Sequence, residues 1–372
     1  MIIKHSNFVT GSGVKEDFFS VVSRAPGADF ASEITGLLQQ YDKALSQYDC
    51  SEASEVVLRF HLSDVTNQFA ILQKVLAGRQ SFISVIGQSP AKCCRVALEA
   101  WHSSPVKKHF TPATLQVKSA NYTALWHHLP ENHAAGSFDQ TAVEFEELKN
   151  MLANCNANVK DHTVRTWLYC RDVDNNYAGL VKARNQFFAA NDLTCNTHFI
   201  ASTGIEGQSA AVDRLVQMDS INYPALQPGQ MQYLYALDML SPTALYGVSF
   251  ERGTRLIFGD RSHYYISGTA SIDRHGQVVH PGNVLLQTRR MLENIQALLN
   301  EGNAALSDIK SATLYLRDPA DADAVEAIIA EKLGFDLPLV TLKAPVCRPA
   351  WLVEMECIAV NNKGNEKFPP LA

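Results

Sequence analysis

The chain lacks the signals of several common function classes. No stretch approaches 18 consecutive apolar residues, and the first residues hold no apolar run of signal-peptide length, so we expect neither a membrane span nor a secretory leader. No basic cluster occurs and the net charge is −6, which argues against nucleic acid as a main partner. The eight cysteines are scattered without a Cys-x-x-Cys motif, as buried thiols of a cytoplasmic protein are.

Motifs for cofactors are equally scarce. The chain has no phosphate-binding glycine loop, no dinucleotide fingerprint and no Ser-His-Asp signature. Its one histidine cluster, at His127, His128 and His133, is more typical of solvated loop histidines than of a metal site. We therefore expect no cofactor and no metal.

What the chain does have is one phrase that occurs three times. The copies are residues 58–64 (LRFHLSD), 168–172 (LYCRD) and 314–318 (LYLRD). Each is a short apolar strand pattern ending in an Asp, which can cap the amphipathic helix pattern that follows. A unit that recurs three times predicts one supersecondary module used three times.

The third copy has the clearest surroundings. Apolar residues recur at helical spacing from Val284 to Leu299, and residues 352–360 alternate between apolar and polar as a half-buried strand does. The pattern around them predicts the order β-β-α-β-α-β-β, an α+β module with two helices on one face of a mixed sheet.

The other copies repeat this core less regularly. Residues 91–100 are predicted to form a further short helix, and the proline-containing stretches 103–136 and 222–249 are predicted to be irregular joints. At 372 residues the length fits two or three domains. We predict modules over residues 1–136 (degenerate), 137–245 and 246–372, of which the last carries the best-matching site.

The third module resembles the Rid (YjgF-like) family of enamine deaminases and their relatives. The resemblance is carried by residues 265–268 (YISG), 287–288 (QT), 293–295 (ENI), 314–318 and 352–359. It implies a fold similar to chorismate mutase, and trimers with sites in the clefts between neighbouring subunits. Three such modules in one chain would form an intrachain pseudo-trimer, so we expect the chain to be a monomer.

A longer series, over roughly residues 160–360, resembles the chorismatases, which hydrolyse or rearrange chorismate to dihydroxy-cyclohexadiene acids or hydroxybenzoates. The series comprises residues 165–167 (RTW), 183–185 (ARN), 201–205 (ASTGI), 267–272 (SGTASI), 280–283 (HPGN), and Cys347-Arg348 with Glu354. It implies a cofactor-independent enzyme that acts on chorismate or a related cyclic carboxylate.

The chain departs from both families at a carboxylate-binding arginine. Rid deaminases place one early in the penultimate strand, where this chain has the apolar Val340. Chorismatases carry one in an Asn-Pro-Arg-Gln stretch, where this chain has Gly229. Two alternatives therefore stay open: a Rid-type imine or enamine deaminase, and a non-catalytic protein that binds a small carboxylate.

Glu354 is the main catalytic candidate. It lies in an apolar strand, where partial desolvation would raise its pKa toward general-acid use near neutral pH. In the resemblance, the matching Glu protonates the enol-ether methylene of chorismate. Glu356 would point to the same face, and for either residue the alternative is a structural ion pair.

Cys347 is the second catalytic candidate. It lies next to Arg348, which would favour a thiolate. In the resemblance, the matching cysteine assists the rearrangement to 3-hydroxybenzoate. The alternative is that Cys347 only fills space in the core.

Two small-residue motifs are candidates for substrate binding. Ser202-Thr203-Gly204 and Ser267-Gly268-Thr269, with Ala270 after it, are each predicted to end a strand in a turn whose N–H groups could hold a carboxylate or an oxyanion. We expect the two motifs to face each other across one pocket. The residues expected to supply positive charge for the carboxylate are Arg348, Arg165 and Arg252.

Overall fold

The computed structural model describes residues 1–23, 27–92, 94–111 and 113–371. These residues form three β-sheets of mixed strand direction, each with helices packed on one face. The predicted α+β class with tandem modules is confirmed.

The first sheet uses the N-terminal part of the chain. Its strands, in the spatial order β1-β2-β6-β3-β4, are β1 (Ile2–Val9), β2 (Lys15–Val22), β3 (Glu55–Leu62), β4 (Phe82–Gly87) and β6 (Val96–Ser104). Helices α1 (Phe30–Gln47) and α2 (Val65–Val75) cover one face. The two-residue strand β5 (Ser89–Pro90) leaves this sheet and pairs with the third one.

The second sheet has six strands. They are β7 (Lys107–Thr111), β8 (Thr114–Lys118), β9 (Thr123–His128), β10 (Thr163–Cys170), β11 (Ala201–Glu206) and β12 (Val216–Asn222), in the order β11-β10-β12-β9-β8-β7. Its helices are α3 (Gly136–Ala153), the one-turn α4 (Val159–His162) and α5 (Val173–Ala190).

The third sheet completes the described chain. Its strands are β13 (Met231–Leu234), β14 (Gly253–Ile257), β15 (Ser262–Ala270), β16 (Ile309–Leu316), β17 (Leu339–Lys343) and β18 (Val353–Asn361), in the order β13-β14-β15-β18-β16-β17-β5. Helices α6 (Val284–Glu301) and α7 (Ala322–Leu333) pack their apolar residues against it.

The three modules share one topology around the repeated phrase. The phrase forms the central strands β3, β10 and β16. Each runs parallel to the next strand across a helix and antiparallel to the last strand of its module. The faces away from the helices meet in one apolar cluster that joins all three modules. Strands of two modules therefore meet at the sites between modules, and helices and loops complete their walls.

The predicted Asp cap of the following helix holds for one of the three copies. Asp64 caps α2 by accepting from Asn67 N (3.4 Å). Asp318 accepts from Ala320 N (2.9 Å), but it caps the short 3-10 turn Pro319–Asp321 that precedes α7. Asp172 is different: it has a left-handed backbone (φ +51°) and makes no side-chain bond to a backbone N–H of α5, because its carboxylate accepts from Asn175 Nδ2 (2.8 Å). Glu206 caps that helix instead, by accepting from Asp172 N (3.1 Å) and Val173 N (2.7 Å).

Two local predictions are wrong. The described part of residues 91–100 contains no helix, because Val96–Ser104 is the strand β6. One face of β6 packs against the helices of its own module and the other face packs against the other modules. A segment that is apolar on both faces shows neither the alternation of a half-buried strand nor the spacing of an amphipathic helix, so its sequence does not distinguish the two. The predicted joints are also structured: residues 103–136 contain β7, β8 and β9, and residues 222–249 contain β13.

The chain passes from one sheet to the next at other positions than the predicted module boundaries, residues 136 and 245. Strands β7 to β9 precede residue 136 but pair into the second sheet, and β13 precedes residue 245 but pairs into the third. The sheets therefore change near residues 105 and 225. The limits of independently folding domains stay a prediction.

Across the described ranges, no helix is both long and apolar enough to span a membrane. Those residues also contain no group of three or more His, Cys, Asp or Glu side chains arranged to hold a metal ion. His128 and His133 instead pair with carboxylates, at 2.7 Å from Asp219 and Asp213. His127 is buried, which lowers its pKa to about 4.

Candidate functional site

A cleft lies where the second module meets the third. The edge strand β11 lies against β15, and two cross-module hydrogen bonds join them: Ser202 N donates to Ser267 Oγ (3.0 Å), and Gly268 N donates to Thr203 Oγ1 (2.8 Å). The two motifs do face each other. They lie within strands rather than in turns, however, and these two N–H groups are used by the opposite module. The prediction of a free N–H cradle there is corrected.

The cleft is partly open to solvent, and the empty space within it and at its mouth is about 530 Å³. Nine predicted site residues line it. They are Glu354, Cys347, Arg348, Arg252, Gly268, Ala270, Ser202, Thr203 and Gly204.

Gly268 gives Glu354 its place in the cleft. The pairing of β15 with β18 shifts register between Ile266 and Thr269, which marks a β-bulge at Ser267 and Gly268. A Cβ on Gly268 would lie only 2.2 Å from Glu354 Oε1. No other residue type fits beside that carboxyl without displacing it, so the glycine is required by close approach.

The surroundings of the Glu354 carboxyl raise its pKa and favour its protonated form. Burial is the main cause, repulsion by Glu356 adds to it, and attraction by Arg165 and Arg252 only partly opposes it. The balance raises the pKa of Glu354 to about 8. A carboxylic acid that is neutral at pH 7 and faces a cleft can donate a proton to a bound substrate.

This pKa predicts the pH dependence of activity. The acid form of Glu354 is present below about pH 8 and is lost as the pH rises through that value. We therefore expect kcat/KM to be level through neutral pH and then to fall about tenfold per pH unit on the alkaline side. A pH profile with a full acid limb near 4.5 and no alkaline limb would contradict the general-acid role.

Cys347 does not have the expected thiolate character. Burial, together with the nearby Glu354, raises its pKa to about 12 and outweighs the influence of Arg348. Its Sγ also has a hydrogen-bond interaction with the Tyr177 hydroxyl. At neutral pH Cys347 is therefore a neutral thiol in the cleft wall, and the predicted thiolate is corrected.

One buried cation in the cleft is unpaired. Arg184 on α5 is 1% exposed, and its Nε and Nη2 have no hydrogen-bond partner among the described residues. Its guanidinium lies 5.9 Å from the centroid of the Phe250 ring. A buried cation is costly unless it is paired, so this side chain is suited to an anion that enters the cleft.

Two further arginines lie at the same cleft. The Arg348 guanidinium packs between Tyr246 and Trp351, 4.6 and 5.0 Å from their ring centroids. Arg252 is tied down, since its Nη2 donates to Ser241 O (3.0 Å) and to the Tyr246 hydroxyl (2.9 Å).

Three predicted binding residues do not line the cleft. Arg165 is buried behind it and donates to Glu356 (2.8 Å), Ser267 (2.7 Å) and Thr203 (2.5 Å). Ser267 Oγ donates to Glu251 O (2.6 Å), and Thr269 Oγ1 donates to Ser267 O (2.8 Å). Arg165 and Ser267 join the two modules and Thr269 is bonded within its own strand, so the prediction that these three residues contact a ligand directly is corrected. Glu356 belongs to the same network as an ion pair with Arg165.

Sequence reasoning missed several lining residues, namely Tyr177, Arg184, Tyr246, Val248, Phe250, Ile272 and Trp351. Arg184 can be predicted from the sequence, because its Ala-Arg-Asn stretch carries part of the chorismatase resemblance. Tyr177 could not be found from the sequence. It reaches the cleft because Gly204 leaves room, and a Cβ there would lie 2.9 Å from the Tyr177 ring. Tyr246, Val248 and Phe250 fall in or just after a stretch predicted to be an irregular joint.

The strand register shows that only the third module has a carboxylic acid at the position of Glu354. Glu354 pairs with Tyr315 of the third phrase. The residues opposite the matching positions of the other phrases are Ala97 and Gln217. Neither can donate a proton as a carboxylic acid, so the equivalent places in the first and second modules lack this chemistry.

Comparison with known proteins finds similarity of family and of fold. Residues 259–361 match the family described as Endoribonuclease L-PSP. A 96-residue alignment is 31% identical to 3-aminoacrylate deaminase RutC of Acinetobacter baylyi and covers 26% of this chain and 76% of that protein. A 116-residue alignment is 32% identical to 3-hydroxybenzoate synthase of Streptomyces hygroscopicus; it covers 29% of this chain and only about a third, 34%, of that relative's length.

A solved structure extends the likeness to most of the chain. A chorismatase structure aligns with a TM-score of 0.64 at 19% identity, over 82% of this chain and 93% of that chain. At this identity the match concerns the fold. The chain therefore belongs to the Rid (YjgF-like) superfamily, and it has a chorismatase-like fold.

Proposed function

We propose that the chain is a cofactor-independent enzyme of the chorismatase type, which releases pyruvate from chorismate or a related cyclic carboxylate. The observation that carries the proposal is the pairing of opposite chemistries in one cleft: a carboxyl protonated at neutral pH, Glu354, and an unpaired buried cation, Arg184. The similarity to a 3-hydroxybenzoate synthase supports the same class of substrate.

The chemistry needs one proton donor. Glu354 protonates the methylene carbon of the enol ether and forms an oxocarbenium ion. Pyruvate then leaves in one of two ways: water adds to the oxocarbenium carbon and the bond from that carbon to the ring oxygen breaks, or, without water, the bond from the ring carbon to that oxygen breaks and the oxygen leaves with pyruvate. If water takes part, the ring product is a dihydroxy-cyclohexadiene acid. If it does not, the ring loses one proton as it becomes aromatic, which balances the proton gained by the methylene, and the product is a hydroxybenzoate.

Arg184 and Arg348 are the proposed carboxylate anchors. Arg184 would gain the partners that it lacks in the protein alone, and the guanidinium of Arg348 lies against two aromatic rings in the cleft wall. Together they would offset the loss of the family arginine at Gly229. That glycine has φ +86°, a turn conformation that suits glycine.

The test is to incubate purified protein with chorismate and to measure pyruvate with lactate dehydrogenase and NADH. The proposal predicts stoichiometric pyruvate and a cyclic acid or hydroxybenzoate. No pyruvate, together with a bound carboxylate metabolite, would contradict it and favour a non-catalytic binding protein.

Cys347 is proposed to direct the reaction rather than to start it. We expect Cys347→Ala to change the ratio of hydroxybenzoate to dihydroxy acid by more than it changes the rate of pyruvate release, because the neutral thiol lines the cleft without holding the reactive proton. Chromatography of the products checks this, with Cys195→Ala, an exposed cysteine, as control. An unchanged product ratio would leave Cys347 as a packing residue.

A Rid-type deaminase is the second candidate, since the RutC alignment covers most of that relative. Arg184 would then bind the carboxylate of a small imine or enamine acid. Freshly generated 2-aminoacrylate separates the two candidates, because a deaminase accelerates its conversion to pyruvate and ammonia, whereas a chorismatase-type enzyme leaves that rate at the background value.

We also propose that the three modules take the place of the three subunits of a Rid trimer. The joint apolar cluster and the cross-module pairing of β5 with β17 support this arrangement. We expect sedimentation to give the 41.0 kDa monomer at micromolar concentration. A species near three times that mass would contradict it.

A further inference from the structure

A second cavity lies far from the cleft, where all three modules meet. It begins at His263 near the start of β15 and is partly open to solvent, and the empty space within it and at its mouth is about 460 Å³. The cleft lies near Ala270 of the same strand, seven residues away, or roughly 23 Å at the rise of an extended strand. The two sites are therefore separate.

The walls of this cavity are largely aromatic. Trp101 comes from the first sheet, Trp126 from the second, and Tyr122 from the loop between β8 and β9. The two tryptophan rings pack edge to face, with centroids 5.4 Å apart. Leu371 closes one side, held by its N–H donating to Asp260 Oδ1 (2.8 Å). Aromatic walls of this kind suit a ligand with one flat aromatic ring.

Two buried polar atoms of the lining residues have no partner within the described ranges. Glu16 Oε1 accepts from Arg261 Nη1 (2.6 Å) and lies 2.9 Å from His263 Nε2. Glu16 Oε2 and Trp101 Nε1 are the unpartnered atoms. Burial would raise the pKa of Glu16, but His263 and Arg261 outweigh it and lower the value to about 2, so Glu16 is an anion whose charge is already balanced. Buried polar atoms without partners are rare.

The register brings these two side chains together. Glu16 pairs with Ser103, and Phe18 pairs with Trp101, so Glu16 and Trp101 are diagonal neighbours on one sheet face. Glu16 can only accept and Trp101 can only donate a hydrogen bond. One hydroxyl group can serve both, because it donates and accepts at once.

We propose that this cavity binds a small, uncharged phenol. Its ring would pack against Trp101 and Trp126, and its hydroxyl would donate to Glu16 and accept from Trp101. A neutral ligand is required because Arg261 already balances the carboxylate. This proposal does not depend on the reaction proposed for the cleft.

The test uses the full chain with phenol and with toluene, which has the same ring without the hydroxyl. Saturation-transfer NMR is expected to show saturable phenol binding and much weaker toluene binding. Trp101→Phe keeps an aromatic ring but removes the N–H donor, so it should weaken phenol about 5- to 10-fold and change toluene binding much less. Equal binding of the two probes, or unchanged phenol affinity in Trp101→Phe, would overturn the proposal.

A second variant locates the site. Val106 lines the cavity outside the strands and is only partly buried, so Val106→Trp is expected to fill the space and abolish phenol binding while the fold is kept. Val9→Trp, on an exposed position, is the matched control and should bind phenol like the unaltered chain. Phenol binding that survives Val106→Trp would overturn the assignment of this cavity.

Discussion

Glu354→Gln is expected to lower the rate of pyruvate release by about 10²- to 10⁴-fold, which is what a positioned general acid usually contributes. The amide has the shape of the acid and fits the space beside Gly268, but it cannot deliver a proton. Binding of the substrate should change little, because the proposed carboxylate anchors are arginines elsewhere in the cleft. The measurement is single-turnover pyruvate release at pH 7.

The matched control is Glu131→Gln. Glu131 is an exposed residue that lines a different cleft, between the first and second modules. Gln217, the equivalent of Glu354 in the second module, lines that cleft too, so the cleft has no carboxylic acid at the position that matches Glu354. The Glu131→Gln control should therefore retain full activity. Pyruvate release that survives in Glu354→Gln, or is lost in Glu131→Gln, would exclude the proposed role.

Arg184→Met is expected to have opposite effects on function and on stability. Without the guanidinium, the substrate carboxylate loses one or two charge-assisted hydrogen bonds, and kcat/KM should fall about 10- to 150-fold. The unliganded protein should become more stable, by about 1 kcal/mol or more in the free energy of unfolding, because a buried cation without a hydrogen-bonding partner is replaced by an apolar chain of similar length.

Thermal unfolding with and without substrate separates these effects. The unaltered chain should gain stability from the ligand, whereas Arg184→Met should start higher and gain little. Arg184→Lys keeps the charge and is expected to lie between the two. A lower melting temperature with unchanged kcat/KM would mean that Arg184 stabilises the fold and does not bind substrate.

The sequence was most informative where a pattern is local. The triple phrase identified the central strands β3, β10 and β16, and the alternation of residues 352–360 placed Glu354 on a buried strand. It failed where burial is two-sided, as in β6, since a strand that is apolar on both faces has no period to distinguish it from a buried helix segment.

Within the site, single-residue chemistry was easier to predict than partnership. Arg165 and Ser267 were expected to bind a ligand because their residue types suit it. In the structure, they are committed to each other at 2.7 Å across two modules 102 residues apart in sequence. Which buried polar groups pair and which stay free, as Arg184 does, depends on contacts between modules that no local pattern encodes.

The fused chain also explains how one cleft can differ from the others. In a trimer of identical subunits, every cleft must carry the same residues. Here the positions that match Glu354 hold Ala97 and Gln217, so each cleft can hold its own residues. We therefore expect one turnover site per chain.

The most direct test of the account is the isotope content of the pyruvate formed from chorismate in D₂O. Proton transfer from Glu354, which exchanges its proton with solvent, to the methylene carbon puts one deuterium into the methyl group of the product. Rapid reduction to lactate by coupled lactate dehydrogenase prevents later exchange, and mass spectrometry reads the label. We expect lactate with one deuterium in its methyl group from the unaltered chain. Unlabelled methyl groups would mean that the hydrogen comes from the substrate itself, and would contradict general-acid catalysis by Glu354.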